Sequence, residues 1–229
     1  MSVTCFLPCR KGSERVPKKN IKPFAGVPNG LIQIKLEQLL TSNLIDEIVV
    51  STNDDEILEH ADSLKSKKIR LHKRAEHLSS SSTSTDELVA HAFELIPDSH
   101  ILWTHVTSPF ITAHDYDSII SHYFTALKDG YDSLMTTSLI HGFLWNTEGP
   151  INYDKEIEKW PRTQTLPAIH EINSAVFLSH SSIYKALNDR IGNKPFLYPQ
   201  DKIKSFDIDW PDDFHIGECI AASGLVNLS

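Results

Sequence analysis

The chain has 229 residues, of which 40% are hydrophobic and 23% charged. These proportions are ordinary for a globular protein and exclude a collagen, a coiled coil or a disordered chain as a description of the whole. The 22 basic and 30 acidic residues give a net charge of −8, which disfavours general nucleic-acid binding because the phosphate backbone would be repelled.

The length predicts a single domain over residues 1–229. No apolar stretch approaches the 18 residues that a membrane-spanning helix needs, and the amino terminus lacks the basic start of a signal peptide. The three cysteines, Cys5, Cys9 and Cys219, include no close pair, since Cys5 and Cys9 on one strand would lie about 13 Å apart. We therefore predict a cytoplasmic protein that contacts neither nucleic acid nor membrane.

Short apolar runs at Val3–Pro8, Glu47–Ser51 and His100–Val106 alternate with segments of helical periodicity. Asn53 is the expected N-cap of the second helix, and Ser84 with Glu87 the expected capping pair of the third. This alternation predicts an α/β layered domain whose mostly parallel sheet is covered by helices on both faces. Ligands of such sheets bind beyond the carboxyl ends of the strands.

The segment 131–160 departs from this alternation, with strand-like pieces at Ser133–Leu139 and Gly142–Trp145. We interpret it as an inserted β-rich arm, and as a candidate dimerisation element.

A basic loop follows the first predicted strand, with five basic residues in the ten positions from 10 to 19. Gly12 allows close approach of the backbone to a ligand, and arginine and lysine suit phosphate oxygens. The loop matches neither a P-loop nor a GxGxxG dinucleotide motif. It is either a phosphate-binding loop or a solvated basic loop.

Two aspartates, Asp207 and Asp209, stand two residues apart before a predicted helix that begins at Pro211. On a strand they would share one face, about 6.5–7 Å apart, and could bind one Mg²⁺ together with waters and phosphate oxygens. The alternative is an ordinary strand-to-helix turn. Arg162 and Gln164, in the loop 160–167, are weaker candidates that could together bind a carboxylate or an amide, and His105 is a similarly weak candidate.

Together, a basic loop for polyphosphate and a two-aspartate Mg²⁺ site indicate a nucleotidyltransferase or a glycosyltransferase.

The sequence also resembles the CMP-acylneuraminate (sialic acid) cytidylyltransferase family, which includes the pseudaminate, legionaminate and KDO enzymes. The first match is LPCRKGSERVPKKNI at 7–21, and the last is SFDIDWPDDF at 205–214. Supporting matches are Arg74 to Ala92, Thr107-Ser108-Pro109, RTQTLP at 162–167 and Glu171 to Ala175.

The resemblance implies a three-layer α/β/α fold of the nucleotide-diphospho-sugar transferase type, a homodimer, and the transfer of CMP from CTP to a sugar acid with Mg²⁺. It implies catalytic roles for Arg10, Lys19, Asp207 and Asp209, the two aspartates holding the metal. The implied nucleotide-binding residues are Arg10, Gly12, Ser13, Lys19, Asn20, Arg74 and Ser80. The implied sugar-binding residues are His105, Arg162, Gln164 and Asn173.

The sequence departs from the family pattern at four positions: Glu14 stands for Lys, Ser81 for Asp, His105 for Gln and Ile111 for Arg. The sugar acid is therefore left open between a nonulosonic acid and KDO or amino-KDO. A non-catalytic nucleotide-binding homologue and a metal-dependent glycosyltransferase are the remaining alternatives. For the leading interpretation we expect a role in lipopolysaccharide or capsule synthesis.

Overall fold

A computed structural model describes residues 2–228. The strands are β1 Val3–Cys9, β2 Glu47–Thr52, β3 Ile69–Lys73, β4 His100–Thr104, β5 Ser133–Ile140, β6 Ile169–His180 and β7 Pro195–Gln200. The helices are α1 Gly30–Thr41, α2 Asp55–Ser63, α3 Thr85–Leu95, α4 Ala113–Lys128, α5 Ser181–Leu187 and α6 Pro211–Ala222. Two short 3₁₀ helices span Glu76–Leu78 and Thr163–Thr165.

The seven strands form one sheet in the order β3-β2-β1-β4-β6-β5-β7. All neighbouring pairs are parallel except those of β6, which runs antiparallel to β4 and β5. The mostly parallel α/β sheet predicted from the sequence is thus confirmed. Chain order reverses between β1 and β4, and a crevice opens at such a switch point beyond the strand ends.

Alternate side chains of the central strands enter two separate cores, because successive residues of a strand face opposite sides of the sheet. Cys5 and Leu7 of β1 pack into the core shared with α1, α2, α4 and α6. Phe6, between them, packs into the core shared with α3 and α5. The three-layer α/β/α arrangement follows from these two cores.

The prediction for the segment 131–160 is wrong for its first part. Residues Ser133–Ile140 form β5, which pairs with β6 on one side and β7 on the other, inside the main sheet. The predicted strand Gly142–Trp145 is reduced to a single bridge between Trp145 and Pro150. The excursion from the sheet therefore begins after Ile140 and ends before β6.

The cap of α2 also differs from its prediction. Asp54, and not Asn53, accepts the amide N–H of Glu56 (3.1 Å). The side chain of Asn53 accepts the backbone N–H of Lys11 (2.8 Å), and so connects the end of β2 to the basic loop. The predicted capping pair of Ser84 and Glu87 at the start of α3 is confirmed.

A fully buried lysine that the sequence analysis missed joins the elements below the crevice. Lys35 of α1 donates to the carbonyl of Ser108 (2.8 Å) and to the hydroxyl of Tyr116 (2.7 Å). Since Thr104 donates its own hydroxyl hydrogen to the carbonyl of Ala175 (2.7 Å), the hydroxyl of Tyr116 must donate to Thr104 (2.9 Å). This directed chain of hydrogen bonds ties α1, α4, β4 and β6 together under the turn 107–109.

Burial lowers the pKa of Lys35 to about 7, against opposing influences of Cys5, Asp115 and Asp207. The unfolded chain therefore binds one more proton than the native state between pH 7 and about 10.4. In that range the contribution of Lys35 makes the unfolding free energy rise with pH, by about 1.4 kcal/mol per pH unit. Below pH 7 both states are protonated and the contribution is constant.

We predict that Lys35→Met abolishes this part of the pH dependence. Urea unfolding of the wild type and the variant at intervals from pH 7 to 9 measures it, and the difference between the two proteins isolates Lys35 from the buried thiols and tyrosines. The stability of the variant relative to the wild type should fall as pH rises. Parallel curves would show that Lys35 titrates as an ordinary lysine.

Candidate active site

The basic loop 10–20 leaves the carboxyl end of β1 at the switch point. Gly12 (φ +75°) and Lys18 (φ +54°) take left-handed backbone conformations, which glycine adopts without cost and lysine rarely. The side-chain amide of Asn20 donates to the backbone carbonyl of Arg10 (3.2 Å), which connects the two ends of the loop. The loop is also held by the backbone N–H of Lys11, which donates to the side chain of Asn53.

The second part of the site is the segment 205–210, which leads from β7 back across the strand ends to α6. The amide of Ile208 donates to the carbonyl of Thr107 (2.9 Å), which places the segment above β4. As predicted, α6 begins at Pro211. The carboxylate of Asp213 accepts the backbone N–H groups of Asp209 (3.0 Å) and Trp210 (2.7 Å).

Lys19 joins the two segments. Its ammonium donates to the carbonyl of Ile208 (2.6 Å) and to the carboxylate of Asp209 (3.1 Å). Only 8% of this residue is exposed, so that little water competes for its hydrogens. The guanidinium of Arg15 lies 3.4 Å from the same carboxylate, and its central carbon lies 4.4 Å from the ring centroid of Trp210. Asp209 thus faces two cations.

Between these segments lies a cavity of about 400 Å³, the basic cavity. Its lining residues are Arg10, Ser13, Glu14, Arg15, Lys19, Asn20, Ser81 and Asp209. Three cations face two carboxylates there. Within residues 2–228, the guanidinium of Arg10 forms no ion pair. An anion entering this cavity therefore meets a guanidinium that no carboxylate neutralises.

Asp207 faces away from the basic cavity and lines a second one of about 510 Å³, the acceptor-side cavity. The other lining residues are Ser138, Leu139, Ile140, His141, Glu171, Lys202, Ser205 and Phe206. Burial raises the pKa of Asp207, and the hydroxyl of Thr107 partly offsets that effect. Its Oδ1 is buried without a hydrogen-bond partner.

The two aspartates suit a magnesium ion, although they do not form a complete cage. Within residues 2–228 no group of three His, Cys, Asp or Glu side chains is arranged to hold a metal. Magnesium typically uses one or two carboxylates and completes its shell with water and phosphate oxygens. The unpartnered Oδ1 of Asp207 is the oxygen whose isolation a cation would relieve.

Arg74 and Ser80, which were predicted to bind the nucleotide, do not line the basic cavity. Arg74 is 4% exposed and donates to the carbonyl of Cys9 (2.8 Å) and the hydroxyl of Ser79 (3.0 Å). It therefore supports the end of β1 from below. The hydroxyl of Ser80 pairs with Ser82 (2.9 Å), and the neighbouring Ser81 lines the cavity instead.

Asn173 was predicted to bind substrate, but its side chain is already bound to protein. Its oxygen accepts the hydroxyl of Thr136 (2.7 Å) and the amide of Ala175, and its nitrogen donates to Gln200 (2.9 Å) and Ser205 (3.2 Å). Asn173 thus joins β5, β6 and the segment that carries Asp207. It positions the site and has no free group for a ligand.

The structure does not bring Arg162 and Gln164 to either cavity. Both are exposed, in or beside the 3₁₀ helix Thr163–Thr165. His105 directly follows β4, is half-buried and lines neither cavity; its Nε2 accepts the indole N–H of Trp103 (3.1 Å). The sequence analysis included Arg15 in the basic loop but not among the implied site residues. It missed Lys202 and Lys35, which no local sequence pattern distinguishes.

No helix within residues 2–228 combines the length and apolarity that crossing a bilayer requires.

Comparison with known proteins places the chain in a family. A profile described as Cytidylyltransferase matches residues 4–216. Among curated proteins, pseudaminic acid cytidylyltransferase of Campylobacter jejuni is 36% identical over 113 residues, 49% of this chain and 47% of that protein. N-acylneuraminate cytidylyltransferase B of Danio rerio is 27% identical, over 88% of this chain and 48% of its own length. The chain thus spans about half the length of these curated relatives.

Solved structures support the fold. One is CMP:2-keto-3-deoxy-manno-octonic acid synthetase complexed with CTP, with a TM-score of 0.65 and 16% identity, covering 98% of this chain and 100% of that one. Another is the 4-diphosphocytidyl-2C-methyl-D-erythritol synthase of Anaerococcus prevotii, with a TM-score of 0.68 and 13% identity, covering 96% of each chain. At such identities the likeness concerns the fold alone. The family profile extends over most of the chain, which therefore belongs to the cytidylyltransferase family.

Proposed function

We propose that this protein transfers CMP from CTP to a nonulosonic, sialic-acid-like sugar, releasing pyrophosphate. The observation that carries the proposal is the position of Asp207 and Asp209 between two cavities. On one side lies the basic cavity with the unpaired Arg10, and on the other the acceptor-side cavity with Lys202. A reaction that joins an anionic nucleotide to a second substrate needs such an arrangement.

In this reaction the anomeric oxygen of the sugar forms a bond to the α-phosphorus of CTP. The bond from that phosphorus to the bridging oxygen breaks, its electron pair leaves with pyrophosphate, and the hydroxyl proton passes to solvent. Asp207 and Asp209 would hold Mg²⁺, which would supply charge stabilisation. Arg10 binds phosphate oxygens, and Lys19 holds the two halves of the site in register.

A thermal-shift titration tests the nucleotide half of the proposal. We expect CTP with Mg²⁺ to raise the melting temperature more than UTP, ATP or GTP, because a ligand of the native state alone stabilises it. Arg10→Gln should weaken CTP binding at least about tenfold, from the loss of charged hydrogen bonds. Lys128→Gln, at the far end of α4, makes the same charge change away from the site and serves as the control.

For the metal, Asp209→Asn should remove the Mg²⁺-dependent part of the shift, whereas Asp212→Asn, in the first turn of α6, should keep it. Unchanged Mg²⁺ dependence in Asp209→Asn would reject this metal site. Equal shifts with all four nucleotides, or none with any, would reject the CTP assignment.

We further propose that the acceptor-side cavity binds the sugar acid, with Lys202 as the partner of its carboxylate. Within residues 2–228 the ammonium of Lys202 forms no ion pair. The carboxylates of Asp207 and Glu171 on the same wall are acceptors for sugar hydroxyl groups. This assignment replaces Arg162 as the carboxylate ligand.

The rate of pyrophosphate release with pseudaminic acid, N-acetylneuraminic acid or KDO measures the sugar preference. The same assay tests whether Lys202 binds the carboxylate of the sugar acid. Lys202→Gln should raise KM for the preferred acid about tenfold, while KM for CTP stays within about twofold, because one charged contact is lost on the acceptor side. Lys185→Gln, on α5, is the control. An equal rise in both KM values would contradict the assignment, and a preference for KDO would contradict the nonulosonic acid.

The protein is also proposed to act as a homodimer through the excursion that follows β5. Three of its apolar side chains are strongly exposed, namely Ile157 (84%), Trp160 (69%) and Ile151 (56%). Large apolar side chains exposed on one segment are typical of a surface that pairs with a protein.

Sedimentation equilibrium should give twice the 25.8 kDa of the chain. Ile157→Glu should shift the mass toward the monomer, because the dimer would bury the new charge. Leu225→Glu places the same charge at an exposed apolar residue outside the excursion and should leave the mass unchanged. A monomeric wild type at micromolar concentration would refute the proposal.

A further inference from the structure

Each oxygen of the Asp209 carboxylate has a cation beside it. The ammonium of Lys19 lies 3.1 Å from Oδ1, and the guanidinium of Arg15 lies 3.4 Å from Oδ2. Magnesium binds through carboxylate oxygens, and a cation this close to such an oxygen repels it. Asp209 can therefore take part in a metal site only after one of the two cations has moved away.

The two cations differ in how firmly they are held. The ammonium of Lys19 also donates to the carbonyl of Ile208 (2.6 Å), and only 10% of its side chain is exposed. The side chain of Arg15 is 50% exposed. Ion pairs with this exposure contribute little to stability, because water competes for both charges. Arg15 is therefore the cation that can leave at small cost.

A second partner keeps Arg15 at the site when it leaves the carboxylate. Its guanidinium carbon lies 4.4 Å from the ring centroid of Trp210, a cation–π contact. The backbone N–H of Trp210 donates to the carboxylate of Asp213 (2.7 Å), which fixes this residue at the start of α6. Arg15 and Asp209 line the same basic cavity. A guanidinium that leaves Asp209 thus remains beside that cavity.

We propose that Arg15 competes with magnesium for Oδ2 of Asp209, and that the displaced guanidinium binds phosphate oxygens of the nucleotide in the basic cavity. The inference rests on the proposed function of the site. Without ligands, Arg15 neutralises a carboxylate that would otherwise face the cavity as a bare charge. With ligands, its planar fork gives two parallel N–H donors to a phosphate group.

Arg15 thereby couples the binding of metal and nucleotide. A nucleotide that attracts the guanidinium uncovers Oδ2 for the metal, and displacement from Oδ2 frees the guanidinium for the nucleotide. Such coupling is reciprocal, so that each ligand raises the affinity for the other by the same factor. Arg10 differs in this respect, because it forms no ion pair within residues 2–228 and faces the cavity without a competing carboxylate.

Metal binding without nucleotide tests the competition, with Mn²⁺ as the probe and electron paramagnetic resonance measuring its free concentration. Arg15→Gln should bind Mn²⁺ about threefold more tightly than the wild type, because a half-exposed ion pair no longer has to break. Lys22→Gln removes the same charge just after the basic loop and should change the affinity less than about 1.5-fold. Equal affinities in the wild type and Arg15→Gln, equal gains in the two variants, or no Mn²⁺ binding by any of the three proteins would overturn the proposal.

CTP binding in the presence of Mg²⁺, measured by titration calorimetry, should change in the opposite direction. Arg15→Gln should weaken it about tenfold, because charged hydrogen bonds to phosphate are lost. Arg15→Lys keeps the charge without the fork and should stay within about threefold of the wild type. A disturbed loop would weaken both ligands, so that tighter metal and weaker nucleotide in one variant identify the competition.

The two measurements separate this inference from the proposed function. If the wild type binds CTP and Arg15→Gln binds it equally well, the role of Arg15 at the phosphates is wrong while the proposed function stands. If the wild type binds no CTP, the proposed function is wrong. The Mn²⁺ titration, which needs no nucleotide, still decides whether Arg15 and a metal ion compete for Asp209.

Discussion

The contact of Lys19 with Ile208 and Asp209 holds together parts of the chain that are 190 residues apart. The basic loop and the aspartate segment carry opposite charge, and neither has regular secondary structure to fix it. A buried ammonium placed between a carbonyl and a carboxylate satisfies the carboxylate that would otherwise face only solvent and Arg15. Without that contact the wall between the basic and acceptor-side cavities would be free to move.

Around this contact, the structure uses buried polar groups to set the positions of loops. Lys35 holds the carbonyl of Ser108, Arg74 holds the carbonyl of Cys9, and Asn173 holds Ser205. Each lies beneath the crevice and supports a segment that reaches one of the two cavities. Desolvating a charge is costly unless its hydrogen bonds are made, and this cost makes the geometry of such supports specific. Arg10 and Lys202, which form no ion pair within residues 2–228, stand at the cavities themselves.

The two aspartates show why sequence spacing alone is an incomplete guide. On an extended strand they would share one face, but the segment 205–210 is held by Thr107 on one side and Lys19 on the other. Asp207 therefore lies at the acceptor-side cavity and Asp209 at the basic cavity. A shared magnesium ion would lie between the two cavities, where both substrates of the proposed reaction meet.

By itself, the sequence determined the α/β layering, the helix starts with a strong local signal, and the pairing of a basic loop with two aspartates. These features depend on periodicity, capping and charge, which are local properties of the chain. The tertiary structure decided what depends on distant contacts: that 133–140 is an inner strand, that Arg74 and Asn173 support the site, and that Arg162 and Gln164 lie outside both cavities. The roles of Lys35 and Lys202 also depended on the tertiary structure. Lys35 is buried, and Lys202 forms no ion pair within residues 2–228, only because separate elements pack together in this way.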